Sequence, residues 1–150
     1  MSGEPEEDGL LDADVTKEII GAFFEVYNEL GSGFSESVYQ RAMPIALAER
    51  GLLAEREVAL HVRFRGHPVG DYRADLIVET RIIVEVKAAE QLVRAHERQL
   101  VNYLRATNLR LGLLLNFGPK ATFRRLIQTG TMTDPRESRS PDPRGSGVLR

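Results

Sequence analysis

Two acidic residues and a lysine interrupt neighbouring apolar segments of this sequence. Asp75 lies within the segment 74–78, and Glu85 and Lys87 lie at the end of the segment 81–87. Both segments are rich in β-branched residues, and only two residues separate them, which predicts a β-hairpin. A strand that is mainly buried rarely carries charged groups, so these three side chains constrain both the fold and the function of the protein.

Alternation of side chains along a strand places Glu85 and Lys87 on the same face. A two-residue turn at 79–80 sets Asp75 opposite Val84, one residue away from Glu85. We therefore expect the Asp75 carboxylate to reach the Glu85 carboxylate only if a twist or a bulge re-aims it.

Two carboxylates and a lysine at one sheet edge would form a site for a hard cation with a positive group beside it. The alternative is a solvated strand end that carries a weak cross-strand ion pair. The strand pattern alone leaves both interpretations open.

The composition is that of an ordinary globular protein of 150 residues, with 42% hydrophobic and 28% charged residues. Zero cysteines exclude thiolate nucleophiles, zinc–cysteine sites and iron–sulfur clusters. No apolar run approaches the ~20 residues of a membrane span, and the N-terminus is acidic where a secretory signal is basic. We expect a cytoplasmic protein without a membrane partner.

The sequence divides into a domain and two tails. We expect residues 1–13 to be a disordered acidic arm, 14–129 to be the folded domain and 130–150 to be a disordered tail. The first 14 residues hold six acids and no base, so the remainder is mildly basic although the net charge is −2. This mild positive charge permits contacts with phosphates, but it is much smaller than that of a polybasic nucleic-acid-binding surface.

Hydrophobic periodicity predicts three helices and five strands. The expected fold is an α/β sandwich in which a mixed central β-sheet is flanked by helices. The predicted helices span 14–30, 35–50 (with a kink at Pro44) and 89–106, and the predicted strands span 53–65, 69–78, 81–87, 109–117 and 123–127.

The two helices nearest the acidic pair in sequence carry polar residues of interest. His96, Gln99 and Tyr103 are spaced at i, i+3 and i+7, so they share one helix face. Gln and Tyr can donate to phosphate oxygens, and His can do so or stay neutral. The alternatives are a buried Tyr103 and an inert surface His96. Glu36 lies in the first turn of its helix, where an acid also complements the macrodipole.

Residues 33–39 read Gly-x-x-Glu-x-x-Tyr, and the sequence resembles the bacterial GxxExxY family of the PD-(D/E)XK nuclease superfamily. The resemblance covers about residues 14–128. It includes Asp75, the triplet 85–87, the segment 96–104 and the apolar segment 111–118. It implies a restriction-endonuclease-like sandwich.

The resemblance also implies roles for the residues that match. Asp75, Glu85, the Val86 carbonyl and Glu36 would bind the metal, and Lys87 would position and activate the attacking water. Gln99 and Tyr103 would contact the phosphate backbone, with His96 beside them as a further substrate-binding candidate. Ala74 stands where the signature has proline.

The expected function is that of a nuclease that uses Mg²⁺ (or Mn²⁺) to hydrolyse nucleic acid, with DNA as the favoured substrate. One alternative is a catalytically silent binding or adaptor protein with the same fold. Another is a structural subunit whose Tyr39 faces a partner chain.

Overall fold

A computed structural model describes the backbone of residues 4–128 and the side chains of residues 12–128. The predicted order of helices and strands is confirmed, and so is the α/β class. The elements are α1 (Glu4–Leu30), α2 (Glu36–Glu49), β1 (Ala54–Phe64), β2 (His67–Val78), β3 (Ile82–Lys87), α3 (Arg94–Thr107), β4 (Leu111–Phe117) and β5 (Ala121–Ile127).

The five strands form one mixed sheet in the order β1-β2-β3-β4-β5. Only β3 and β4 pair in parallel, and α3 supplies the crossover that parallel pairing requires. Every residue of β4 is buried, which agrees with its nearly continuous apolar sequence.

Two apolar cores lie on opposite faces of the sheet. On one face, residues of α1 and α2 such as Phe23 and Met43 pack against alternate residues of the strands. On the other face, Leu100 and Leu104 of α3 pack against Ile83 and its neighbours. The helices therefore enclose the central strands, and the acidic pair lies just beyond the last paired residues of β2 and β3, Leu76 and Val84.

The helix α1 begins at Glu4, not at Asp14, so the prediction of a disordered arm over 1–13 fails for residues 4–13. Glutamate is a good helix former, and acids at a helix N-terminus complement the macrodipole. Residues 1–3 and the predicted tail at 130–150 lie outside the described residues.

The hairpin of β2 and β3 has a different register from the one predicted. Val78 pairs with Ile82, and Leu76 pairs with Val84. Directly opposite residues share a face, and these four side chains all belong to the core under α1 and α2. The predicted register would have paired Leu76 with Ile83, which belongs to the other core. Burial therefore fixes the observed alignment.

The helix α3 begins at Arg94, five residues later than predicted. The reason is that Asn116 of β4 binds the backbone of Ala89. The Ala89 N–H donates to Asn116 Oδ1 at 2.9 Å, and Asn116 Nδ2 donates to the Ala89 carbonyl at 3.0 Å. The segment after Lys87 is thereby held as a loop against the sheet.

Candidate active site

The side chains of Asp75 and Glu85 each accept a hydrogen bond from a backbone N–H of the other acid's strand. The Asp75 N–H donates to Glu85 Oε2 at 2.9 Å, and the Val86 N–H donates to Asp75 Oδ2 at 2.8 Å. The pairing of β2 with β3 ends one residue earlier, at Leu76 and Val84. Continuation of that register would set Asp75 opposite Glu85, so the one-residue offset in the predicted register is absent.

The pairing of β2 with β1 is also interrupted at Asp75. Ala74 and Leu76 pair with Val58 and Arg56, but no pair joins Asp75 to Glu57 between them. Glu57 has a φ of 51°, which is a costly conformation for a residue with a side chain. Asp75 therefore lies outside the backbone pairing with both β1 and β3, and its N–H donates to the carboxylate of Glu85 instead.

The two carboxylates occupy an environment that opposes their ionisation. Glu85 is only 3% exposed. Burial, followed by the charge of Asp75, raises the pKa of Glu85 to about 8. Burial also raises the pKa of Asp75, against the lowering effect of the hydrogen bond from Val86. The pair thus favours a positive charge between or beside the two acids.

Lys87, two residues after Glu85, supplies a positive charge of this kind. Its ammonium acts on both Asp75 and Glu85 and lowers the pKa of each. Lys87 Nζ also donates to Gln99 Oε1 at 3.2 Å, which ties the end of β3 to α3. The structure therefore brings Asp75, Glu85, Lys87 and Gln99 together.

Two residues of α2 approach the acids from the other side. The charge of Glu36 acts on both carboxylates, and its Oε2 accepts a long hydrogen bond of 3.4 Å from the Ala88 N–H. Gln40, one turn later, lies beside Asp75, and its side-chain amide lowers the pKa of the Asp75 carboxyl. Within residues 12–128, no group of three or more Asp, Glu, His or Cys side chains is arranged to hold a metal ion. Glu36 therefore does not complete a three-carboxylate set.

The Gly-x-x-Glu-x-x-Tyr segment positions the start of α2. Tyr39 is fully buried, and its ring stacks on Phe117 with centroids 4.2 Å apart. Its hydroxyl donates to the Gly31 carbonyl at 2.6 Å and accepts from the Phe34 N–H at 3.2 Å. Tyr39 thus fixes the loop before Glu36 and does not face a partner chain, contrary to one of the alternatives.

The three candidate residues of α3 have different surroundings. Gln99 is exposed and faces Lys87. Tyr103 is 7% exposed and belongs to the core under α3, but it also lines a groove with Gln99. His96 accepts a hydrogen bond from the Val93 N–H at Nδ1, so it caps the start of α3. Burial and then the charge of Lys87 lower the pKa of His96.

Gln40 and Asn116 contribute to the site but were not among the predicted residues. Both carry uncharged amides, which do not interrupt an apolar pattern as an acid or a lysine does. The only signal for Asn116 was a polar residue inside the almost continuously apolar segment 109–117. Its burial, at 1% exposed, shows that its amide must be satisfied within the protein.

Sequence comparison identifies the family. The profile of the PD-(D/E)XK nuclease superfamily matches residues 13–126. The chain belongs to the PD-(D/E)XK nuclease superfamily. Members of the PD-(D/E)XK superfamily are generally nucleases and usually use divalent metals. Among proteins with curated descriptions, none matches the sequence significantly.

A solved structure has a similar fold. The crystal structure of SSO0001 superposes with a TM-score of 0.52 at 20% sequence identity. The match covers 65% of this chain and 52% of SSO0001, so this chain spans about half the length of that protein. At this identity the likeness concerns the fold alone. Within the described part of this PD-(D/E)XK protein, no helix is long and apolar enough to cross a membrane.

Proposed function

We propose that this protein is a Mg²⁺-dependent nuclease that hydrolyses phosphodiester bonds of nucleic acid, with DNA as the first substrate to test. The observation that carries the proposal is the pair formed by the buried Glu85 and the half-buried Asp75 beside Lys87. Removing two mutually repelling carboxylates from water is costly, and a bound cation would offset that cost.

The donor set fits Mg²⁺ or Mn²⁺. Both are hard cations that prefer oxygen ligands, and Mg²⁺ keeps several of its waters. Asp75, Glu85 and the Val86 carbonyl would hold the ion, and Glu36 would act on it from the start of α2. When bound, the ion would neutralise charge on the phosphate and lower the pKa of a water.

The remaining chemistry falls to the chain's own side chains. A water oxygen attacks phosphorus, the bond to the leaving oxygen breaks, and that oxygen takes up a proton. Lys87, oriented by Gln99 Oε1, would stabilise the attacking hydroxide and the charge that develops on the phosphate. Gln40 would hold the Asp75 carboxylate in its orientation.

Substrate contacts would come from α3. The Gln99 amide and the Tyr103 hydroxyl would donate to phosphate oxygens next to the cleaved bond. His96 has one ring nitrogen engaged in the helix cap, so only Nε2 is left for a substrate contact. The cysteine-free sequence supports a cytoplasmic location, and the Gly-x-x-Glu-x-x-Tyr segment supports membership of the GxxExxY family.

One observation favours the second candidate, a silent adaptor with a nuclease fold. The described residues contain no three-carboxylate metal set, and a site with only two acids holds a cation less tightly. The two candidates differ in whether metal ions bind and whether nucleic acid is cut.

The deciding experiment measures cleavage and thermal unfolding together. Wild-type protein, Asp75→Asn and Lys87→Ala are incubated with a panel of DNA and RNA substrates in Mg²⁺, Mn²⁺ or EDTA. The wild type should cut only with metal and should gain stability as roughly RT ln(1 + [L]/Kd). Asp75→Asn should lose both effects, and Lys87→Ala should lose cleavage but keep most of the metal-dependent stabilisation.

Two exposed positions serve as matched controls. Asp71→Asn changes an acid earlier on β2, and Lys120→Ala removes a lysine from the β4–β5 turn. Both should behave as wild type. A wild-type protein that shows neither metal-dependent stabilisation nor cleavage would establish the adaptor instead.

A further inference from the structure

A groove of about 480 Å³ lies between the outer part of the β1–β2 hairpin and α3. Its volume falls within the range of about 300–1,000 Å³ that is typical of small-molecule sites. Val62 and Tyr72 line it from the hairpin, and Arg98, Gln99, Tyr103 and Arg105 line it from α3.

Tyr72 presents an aromatic surface in this groove. It is 51% exposed, although tyrosine rings in a sheet next to a helix are usually covered. Its ring centroid lies 5.9 Å from that of Tyr103, with an angle of 47° between the rings. Gly70 leaves room for the ring, since a Cβ at Gly70 would come within 3.2 Å of Tyr72 Cε2. Tyr72 is therefore positioned by its neighbours but left open on one side.

The rim of the groove on α3 is positively charged. Arg98 and Arg105 are exposed, and neither forms a salt bridge with any acid among residues 12–128. By contrast, Arg124 on β5 is paired with Glu97. Among the residues that the structure describes, no acidic one lines the groove. Its charge therefore complements an anion such as a phosphate.

Gln99 and Tyr103 connect the groove to the surroundings of the acidic pair. Gln99 lines it and also accepts the hydrogen bond from Lys87. Tyr103 lines it as well, and the charges of Glu85 and Asp75 act on the Tyr103 hydroxyl. A strand whose phosphate reached Lys87 would therefore place its adjoining nucleotide beside Tyr72.

We propose that this groove binds an unpaired nucleobase next to the cleaved phosphate, so that single-stranded nucleic acid is the preferred substrate. The inference rests on the proposed nuclease function. The base stacks on Tyr72, while Arg98 and Arg105 contact neighbouring phosphates. A duplex offers such a base only after it is unpaired and unstacked, which costs a few kcal/mol, whereas a single strand offers it freely.

The test is binding measured by fluorescence anisotropy in EDTA, where no cleavage interferes. The probes are a labelled single-stranded thymidine oligonucleotide, its duplex with an adenosine strand, and an abasic strand of the same length. Wild-type protein should bind the thymidine strand more tightly than either of the other two. Tyr72→Ala should weaken that binding by roughly 5- to 150-fold and leave abasic binding unchanged. Tyr72→Phe should bind as wild type does.

Charge is tested with a matched pair of arginines. Arg105→Ala should weaken binding of both the thymidine and the abasic strand, because it removes a phosphate contact. Arg63→Ala, an exposed β1 residue outside the groove lining, should change neither. Circular dichroism checks the fold, and Tyr72→Leu replaces Tyr72→Ala if the latter unfolds.

The outcomes separate this inference from the nuclease function. The proposal of base binding in the groove is wrong if the thymidine and abasic strands bind with equal affinity or if the duplex binds more tightly. It is also wrong if Tyr72→Ala binds the thymidine strand as tightly as wild type does. Each of these results would count against it even with metal-dependent cleavage intact. Base-dependent binding through Tyr72 without any metal-dependent cleavage would support base binding in the groove and contradict the proposed nuclease activity.

Discussion

The carboxylate of Glu85 is almost completely enclosed and faces Asp75, so its ionisation opposes folding when no cation is bound. The folded-state pKa is raised from 4.5 to about 8. The folded protein therefore holds a proton that the unfolded chain releases. The stability linked to this proton is fully present below pH 4.5 and is lost as the pH rises through about 8.

Replacement of Glu85 by Gln should remove most of this pH dependence. In EDTA, Glu85→Gln should become increasingly more stable than wild type as the pH rises from 5 to 8, since an amide does not ionise. Thermal unfolding at several pH values measures the difference. The exposed Glu90→Gln should keep the wild-type profile. Parallel pH profiles for wild type and Glu85→Gln would show that Glu85 is not the group responsible.

The sequence predicted the charged residues of the candidate site and Gln99, but it missed Gln40 and Asn116. Asp75, Glu85 and Lys87 were visible because charged residues interrupt segments that otherwise favour burial. Gln40 and Asn116 act through amides whose partners are distant along the chain, Ala89 being 27 residues from Asn116. Periodicity carries no information about such contacts, so only the fold reveals them.

At the scale of elements, the type of every helix and strand followed from apolar periodicity, but register and loop bounds did not. The β2–β3 register depends on which side chains enter which core, and this requires the positions of α1 and α3. The late start of α3 depends on Asn116 of β4. Elements that are local in sequence were thus predictable, and the contacts between them were not.

One such contact predicts a strong effect of a single methyl group in the turn after β4. A Cβ at Gly118 would collide with the carbonyl oxygen of Ala89, in the loop that follows Lys87. Gly118→Ala should therefore cost about 3 kcal/mol or more and displace that loop. Urea denaturation measures the free energy of unfolding.

Gly66 provides the control for this prediction. It has a φ of 81°, but among the described residues no atom beyond its two chain neighbours lies within 4 Å of the position that a Cβ would take there. Gly66→Ala should cost only about 1 kcal/mol, because it strains the backbone without a collision. Equal losses for the two variants would show that space at Gly118 is not what matters.

Across the whole molecule, the sheet is supported unevenly. The strand β3 pairs with β2 only at residues 76–78, whereas β1 and β2 continue together as far as their shared turn. Within residues 4–128, no third strand lies beside the outer hairpin, residues 58–74, which therefore relies on α3. The central strands β3 and β4 are buried on both faces.

Hydrogen exchange should reveal this division. Amides of the outer hairpin should exchange through local opening, faster than those of 82–87 and 111–117, which should exchange only near global unfolding. Mass spectrometry of peptic fragments measures the rates. Uniform protection across the five strands would contradict the expected difference.

The hydrogen bonds that Asp75 and Glu85 accept from each other's strands bear on how an inactive protein should be made. Alanine at either position would remove a carboxylate of the proposed metal site and also one of the links between β2 and β3. The phenotype of an alanine variant would therefore combine the loss of the carboxylate with weaker pairing between β2 and β3. Asparagine and glutamine keep an acceptor oxygen for the same N–H groups. The amide variants, and not alanine, are therefore the appropriate inactive controls for the proposed nuclease.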